Sequence, residues 1–332
     1  MLIPMNKSLT MEPTPSTPPL PAALPALRHR IRRALGSFGA SGLIGLAVLA
    51  FWLLAATVGP ALLPAHLVTS GDGNGDVFGP MSAAHWLGTD YLGRDMFVRL
   101  VDGARYTVGV ALVATLLASG TGTVLALFAA AMGGLVDAAL SRVLDTLTAI
   151  PSKMFALIMV AGFGSSVTML VLTAAIIYVP GAYRIARSLA VNINALDYVT
   201  VARTRGEGTL YIMLREILPN IVGPMLADLG LRFVYVVLLL ASLSFLGLGI
   251  QPPSADWGSL VRENIGALPD AGASVIVPAL AIASLTIAVN LVIDNLPGRA
   301  ARERGGALRH GRVRCRRRPC TSPRANRRWS TT

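Results

Sequence analysis

Lysine stands at only two of the 332 positions, Lys7 and Lys153, and neither lies in a G-x-x-x-x-G-K-[ST] loop. Without that loop the chain has no ordinary P-loop cradle for nucleotide phosphates, because the loop's backbone N–H groups and its lysine do the holding. HExxH, GxSxG and CxxC are also missing, which removes the usual zinc-peptidase, serine-hydrolase and dithiol readings. Cysteine is nearly absent. Cys315 and Cys320 sit together near the C-terminus, so no disulfide framework supports the body of the fold. With His310 they provide three ligands, lacking the fourth and the spacing of a structural zinc site. The residues therefore imply no metal, no cofactor and no covalent catalysis.

Charge is the next shortage. Only 14% of residues are charged and 53% are hydrophobic, against roughly 25% charged in a soluble domain. The mean hydropathy is +0.61, and the apolar residues come in blocks. Runs of roughly 20 apolar residues are long enough to cross a bilayer core as helix, whereas a large soluble core breaks such runs with a polar face every few residues. The pattern predicts an all-α integral membrane protein. The net charge of +12 does not contradict this. Twelve Arg and a single acid, Glu303, lie between Arg299 and the end. The rest of the chain is close to neutral and has no basic face for nucleic acid.

Residues 1–37 are rich in proline, with Arg28, Arg30, Arg32 and Arg33 at their end. This segment is expected to be disordered. The apolar run Phe38–Leu63 exceeds the roughly 7–15 residues of a signal-peptide core and reads as a first transmembrane helix. Five further spans are expected at Thr107–Met132, Val143–Phe163, Val167–Ala182, Ile221–Ile250 and Val275–Leu296, giving a six-helix domain over 38–298. Residues 299–332 read as a disordered Arg-rich tail suited to anionic lipid. Arginine gathers at both ends and between Tyr183 and Asn220, while acids gather in the alternate loops. The positive-inside rule then places both termini, and the loop 195–220, in the cytoplasm.

Two polar exceptions stand out against this background. Asp228 and Arg232 are four apart in an apolar helix, so they share a face and can pair. Ionisable groups at membrane depth turn toward protein or water rather than lipid. The pair therefore lines a translocation path, or closes a local ion pair, or meets a partner helix. The second exception is "DYVTVARTRGEGTLYIMLREILPN" (Asp197–Asn220), a polar stretch between two apolar runs. Short helices are expected over Ala195–Arg205 and Thr209–Leu218, with Gly206 and Gly208 turning the chain and Pro219 ending the second helix before the next span.

Four strings then carry a resemblance. "HWLGTDYLGRDMFVRLVDGARYTVGV" (His85–Val110), "VPGAYRIAR" (Val179–Arg187), the stretch Asp197–Asn220, and "ASLSFLGLGIQPPSADWGSL" (Ala241–Leu260) occur in this order. They resemble the second, C-type permease of the dipeptide/oligopeptide/nickel family of ABC importers, over roughly residues 40 to 300. The resemblance implies a type I importer permease in the cytoplasmic membrane that forms half of the path for peptides or nickel chelates. Its partners would be a homologous second permease, two ATPase subunits and an extracytoplasmic substrate-binding protein, with ATP hydrolysed on the partners. The stretch Asp197–Asn220 resembles the family's ATPase-coupling EAA loop. Gly206, Ile217, Leu218 and Pro219 match it, and Thr200, Val201 and Ala202 stand where the family has Glu-Ala-Ala. The family's common acid before "ASLSFLGLG" is Leu240 here. The alternative is a secondary transporter or channel working without an ATPase, which needs paired broken helices and ion ligands at mid-membrane. Only Asp228 and Arg232 offer such groups.

Overall fold

The computed structural model describes residues 39–62, 76–83, 85–269 and 272–295. The proline-rich segment and the Arg-rich tail lie outside them. Among the described residues the chain is helical, with no strand beyond one isolated bridge between Thr89 and Asp95. The helices are α1 (Ala40–Leu62), α2 (Met96–Met132), α3 (Gly134–Thr148), α4 (Ser152–Phe163), α5 (Val167–Asn194), α6 (Asp197–Thr204), α7 (Thr209–Phe245), α8 (Trp257–Asn264) and α9 (Ala273–Asp294). Five of them, α1, α2, α5, α7 and α9, are long and apolar enough to cross a membrane, and the bent pair α3–α4 is a sixth if counted as one span. The chain is a multi-pass membrane protein with the helix count of a type I permease.

The spans differ from the expected ones where polar residues enter the helices. The helix expected from Thr107 begins at Met96, because Asp95 caps it by accepting from the backbone N–H groups of Phe97 and Val98. The third span is not continuous. It is two helices bent by 80° around residues 149–151, where Pro151 has no N–H and disfavours helical backbone at Ile150. The fourth runs on past Ala182 to Asn194. Pro219 does not end a helix: α7 continues from Thr209 to Phe245 without a break. A π-helical turn over Ile212–Ile217 precedes the proline, and the Leu218 N–H bonds the Met213 carbonyl five residues back. This wider turn takes up the mismatch that a proline brings to an α-helical ladder.

The core falls into two apolar clusters. One gathers α1, the first part of α2, the second part of α7, α8 and α9 around Trp52, Met96, Leu100, Phe233, Trp257 and Leu285. Trp257 holds it together. Its indole N–H donates to the Leu100 carbonyl at 2.9 Å, its backbone N–H to Thr107 Oγ1 at 3.1 Å, and its ring meets Trp52 edge-on at 4.6 Å. The other cluster lies at the opposite end of the long helices, where Leu127, Leu144, Tyr183, Val199, Ile217 and Ile221 join α2, α3 and α5 to the α6–α7 hairpin. The hairpin is thus packed onto the ends of the spans.

Candidate functional site

The hairpin is built from local signals. Helix α6 ends at Thr204, and Gly206 follows with φ +83°. The Gly206 N–H bonds the Arg203 carbonyl at 2.9 Å and the Glu207 N–H bonds the Ala202 carbonyl at 3.2 Å. These two bonds form a Schellman cap, which needs a residue in the left-handed region. Gly208 is extended (φ −71°, ψ 159°) and serves as the N-cap of α7. The turn therefore depends on Gly206 alone. Side chains pin the hairpin to the spans. Arg203 donates to the Ala131 carbonyl and to Asn194 Oδ1, Asn194 Nδ2 donates to the Ala130 carbonyl at 2.8 Å, and Asn220 Nδ2 donates to Tyr198 Oη and to the Glu216 carbonyl.

The named loop residues divide between two faces. Ile217 is buried in the apolar cluster at this end, Leu218 packs partly against it, and Ala202 is buried on α6. Thr200, Gly206 and Pro219 are exposed. Beside them Tyr198, Val201, Leu210, Tyr211 and Leu214 are exposed apolar residues, Leu210 by 66%, interleaved with exposed Arg203, Arg205, Glu207 and Arg215. Several exposed large apolar side chains on one short hairpin, set among charges, suit a protein contact.

Asp228 and Arg232 form a bidentate ion pair in α7, Nε to Oδ2 at 2.8 Å and Nη2 to Oδ1 at 3.0 Å. Their side chains are 10% and 7% exposed. The pair therefore sits within this chain and not on its surface. The remaining guanidinium nitrogen, Nη1, donates to the Tyr178 carbonyl of α5 at 3.0 Å. Tyr178 Oη in turn donates to the Tyr235 carbonyl of α7 at 3.0 Å.

A third group of polar residues lies where the sequence alone shows only loop charges. Asp90, Arg94 and Arg99 precede or open α2, and Glu263 lies on α8. Arg99 Nη1 bridges Asp90 Oδ2 at 2.7 Å and Glu263 Oε2 at 2.9 Å, and Arg94 Nε reaches Asp90 Oδ2 at 2.8 Å. Asp90 and Arg99 are 0% and 2% exposed. Asp90 Oδ1 also accepts from the Leu92 and Arg94 N–H groups. Next to this network Asp256 caps α8 through a capping box with Ser259 and accepts from the Ser244 hydroxyl. Burial pushes the Asp256 carboxyl up from its ordinary range, and the bonds from Ser244 and Ser259 oppose that only in part. Sequence alone gave no sign that charges about 160 residues apart would meet; the Asp–Trp pair at the start of α8 was the nearest hint of a capped helix. Among the described residues no group of three His, Cys, Asp or Glu side chains could hold a metal ion.

Comparison with known proteins converges on one group. Residues 122–302 match the family described as binding-protein-dependent transport system inner membrane component. A peptide transport system permease protein of Escherichia coli O6:H1 is 34% identical over 262 residues, covering 79% of this chain and 87% of the relative. A dipeptide transport system permease protein of Alkalihalophilus pseudofirmus is 32% identical over 254 residues, 76% of this chain and 83% of the relative. A glutathione transport system permease protein of Pectobacterium atrosepticum is 36% identical over 215 residues, 65% of this chain and 71% of the relative.

Proposed function

The chain belongs to the binding-protein-dependent transport system inner membrane components, within the peptide ABC permeases, and from that premise we propose that it is an importer subunit driven by a separate ATPase that docks on residues 195–220. The observation that carries this is the hairpin itself. Its two arms continue into α5 and α7, its inner face is packed, and its outer face is an exposed apolar surface set among charges. Force applied there is delivered to two membrane-crossing helices. Thr200 occupies the place of the family's acid, so the contact relies on shape and apolar area, with Arg203, Arg205 and Arg215 around it, more than on a carboxylate at that point. Asp228 and Arg232 act as an internal pair and not as path lining.

In this reading the chain provides half of a path through the cytoplasmic membrane, and a second permease provides the other half. Two ATPases hydrolyse ATP, and an extracytoplasmic protein delivers the cargo at the α8 end. The cargo is a peptide, the class printed in the names of two of these relatives. The hairpin and both chain ends face the cytoplasm, in keeping with the clustering of arginine there. A cysteine at Thr204 or Thr209 tests this. It is expected to crosslink to the ATPase from the cytoplasmic side in intact complex. Labelling of either position from outside the cell overturns the orientation, and uptake by the purified chain without an ATPase supports a secondary carrier instead.

A further inference from the structure

We propose that Arg232, held by Asp228 and seated on Tyr178, is the fulcrum through which movement of the α6–α7 hairpin reaches the far halves of α5 and α7. This rests on the reading of residues 195–220 as the ATPase contact and adds the element that transmits the motion. Arg232 is thereby a positioning residue for transport.

Geometry points to it in three ways. First, the two arms of the hairpin are the two helices the fulcrum joins. Helix α5 reaches α6 across only Ala195 and Leu196, and α7 runs unbroken from Thr209 to Phe245. At 1.5 Å per residue, Arg232 lies ~35 Å along α7 from Thr209, and Tyr178 lies ~24 Å along α5 from Asn194. The junction is well inside both helices. Second, the junction is reciprocal. Arg232 of α7 donates to a backbone carbonyl of α5, and Tyr178 of α5 donates to a backbone carbonyl of α7, each at 3.0 Å. Apolar faces slide over one another at little cost, whereas two directed bonds to main chain permit one register only. Third, the seat for the guanidinium is made for it. A Cβ on Gly181 would stand 2.7 Å from Arg232 Nη1, so any larger residue there makes the guanidinium end shift from its place.

The chemistry fits registry better than stability. A buried ion pair generally stabilises a fold no more than apolar residues of the same volume, and its best-attested role is fixing one arrangement. Here Asp228 takes two guanidinium nitrogens and Tyr178 the third, which leaves one orientation for the side chain. With α5 and α7 joined at this point, displacement of the hairpin turns the two helices about Arg232 as one body. The parts near the hairpin and the parts near α8 then move in opposite senses.

The test uses the complete transporter, with second permease, ATPases and binding protein, in proteoliposomes. Its readouts are ATP hydrolysis, uptake, and the ATP-driven change in distance at spin labels on Thr209 and on Leu246, the exposed residue that caps the far end of α7. The double variant Asp228→Leu/Arg232→Met keeps the volume and removes the directed bonds. Expected are retained hydrolysis and a retained change at Thr209, loss of the change at Leu246, and uptake per ATP reduced by at least about fivefold, the lower end for coupling between sites. Gly181→Ala, which crowds the guanidinium at Nη1, is expected to lower the same ratio. Tyr178→Phe removes one hydroxyl only, serves if the double variant does not accumulate, and is expected to lower the same ratio less. An unchanged ratio of uptake to ATP with the change at Leu246 intact in these variants overturns the fulcrum. Failure of the wild-type chain to hold an ATPase overturns the hairpin reading instead, and it is seen before any variant is made.

Discussion

Gly206 offers the sharpest test of the hairpin, because its cost separates into two parts. Its φ of +83° lies in the left-handed region, and a Cβ built there meets nothing within 4 Å inside the chain. Alanine therefore carries only the conformational cost, about 1–2 kcal/mol for an L-residue forced into this region. Confined to the Schellman cap, that is a factor of roughly 5–30 in the ratio of formed to frayed turn. Asparagine visits the left-handed region more readily and should cost less. Arginine carries the same backbone cost plus a long charged side chain at an exposed turn, so any loss beyond that of alanine measures a surface belonging to a partner. The expected order of uptake is Gly206, then Gly206→Asn, Gly206→Ala and Gly206→Arg, with Gly206→Arg inactive and weakened in ATPase co-purification. Membrane abundance should be the same for all four, because Ile217, Ile221, Val199 and the spans are untouched. Normal uptake in Gly206→Arg with the ATPase still bound would refute the reasoning and reduce the hairpin to a connector. Equal losses in Gly206→Ala and Gly206→Arg would mean that no partner surface lies at the turn.

Three further outcomes follow from the polar groups and the tail. Arg99→Met leaves Asp90 and Glu263 buried with one cation fewer, and removing one partner of a buried pair costs about 3–5 kcal/mol; a thermal midpoint equal to that of the wild type would contradict the burial of this network. Asp256 is buried with its carboxyl value raised, so the folded chain keeps a proton that the unfolded chain has lost. Its contribution is full below the ordinary value of about 4 and is lost as pH rises through the folded value. Asp256→Asn should therefore gain thermal stability relative to the wild type as pH is raised from about 4, and a difference independent of pH would rule this out. Truncation after Arg304 removes residues beyond the family match, which ends at 302, and should leave complex formation and uptake intact; a truncated chain that fails to assemble would show that the tail is needed.

Much of this was legible in the amino-acid sequence, wherever the rule is local. The span expected at Phe38–Leu63 is the helix Ala40–Leu62, because a bilayer requires one contiguous apolar run of fixed length. A glycine turn at 206–208 was legible because only its immediate neighbours set it, although Gly206 alone takes positive φ and Gly208 is extended, and the Asp228–Arg232 pair because four residues make about one helical turn. What the tertiary structure decided is everything that depends on a second helix. Residues 96–106 read as an acidic and basic loop, yet they are helix: the charge of Arg99 is met by Glu263 on α8, and Trp257 binds the Leu100 carbonyl. The continuous span expected at Val143–Phe163 is instead broken before Pro151, and the position of the break against α5 is held by Arg184, which bonds Asp145 and Thr148 of α3. Pro219 looked like a stop, but after a π-helical segment of six residues, Ile212–Ile217, the helix runs on through it. Asp228 and Arg232 share a helix face and can pair from spacing alone, but only the approach of α5, with glycine at 181 and the Tyr178 carbonyl within reach of Arg232, set their pair inward. Backbone propensity and spacing act within a few residues of chain, while the partner of a buried charge is chosen by whichever helix packs beside it.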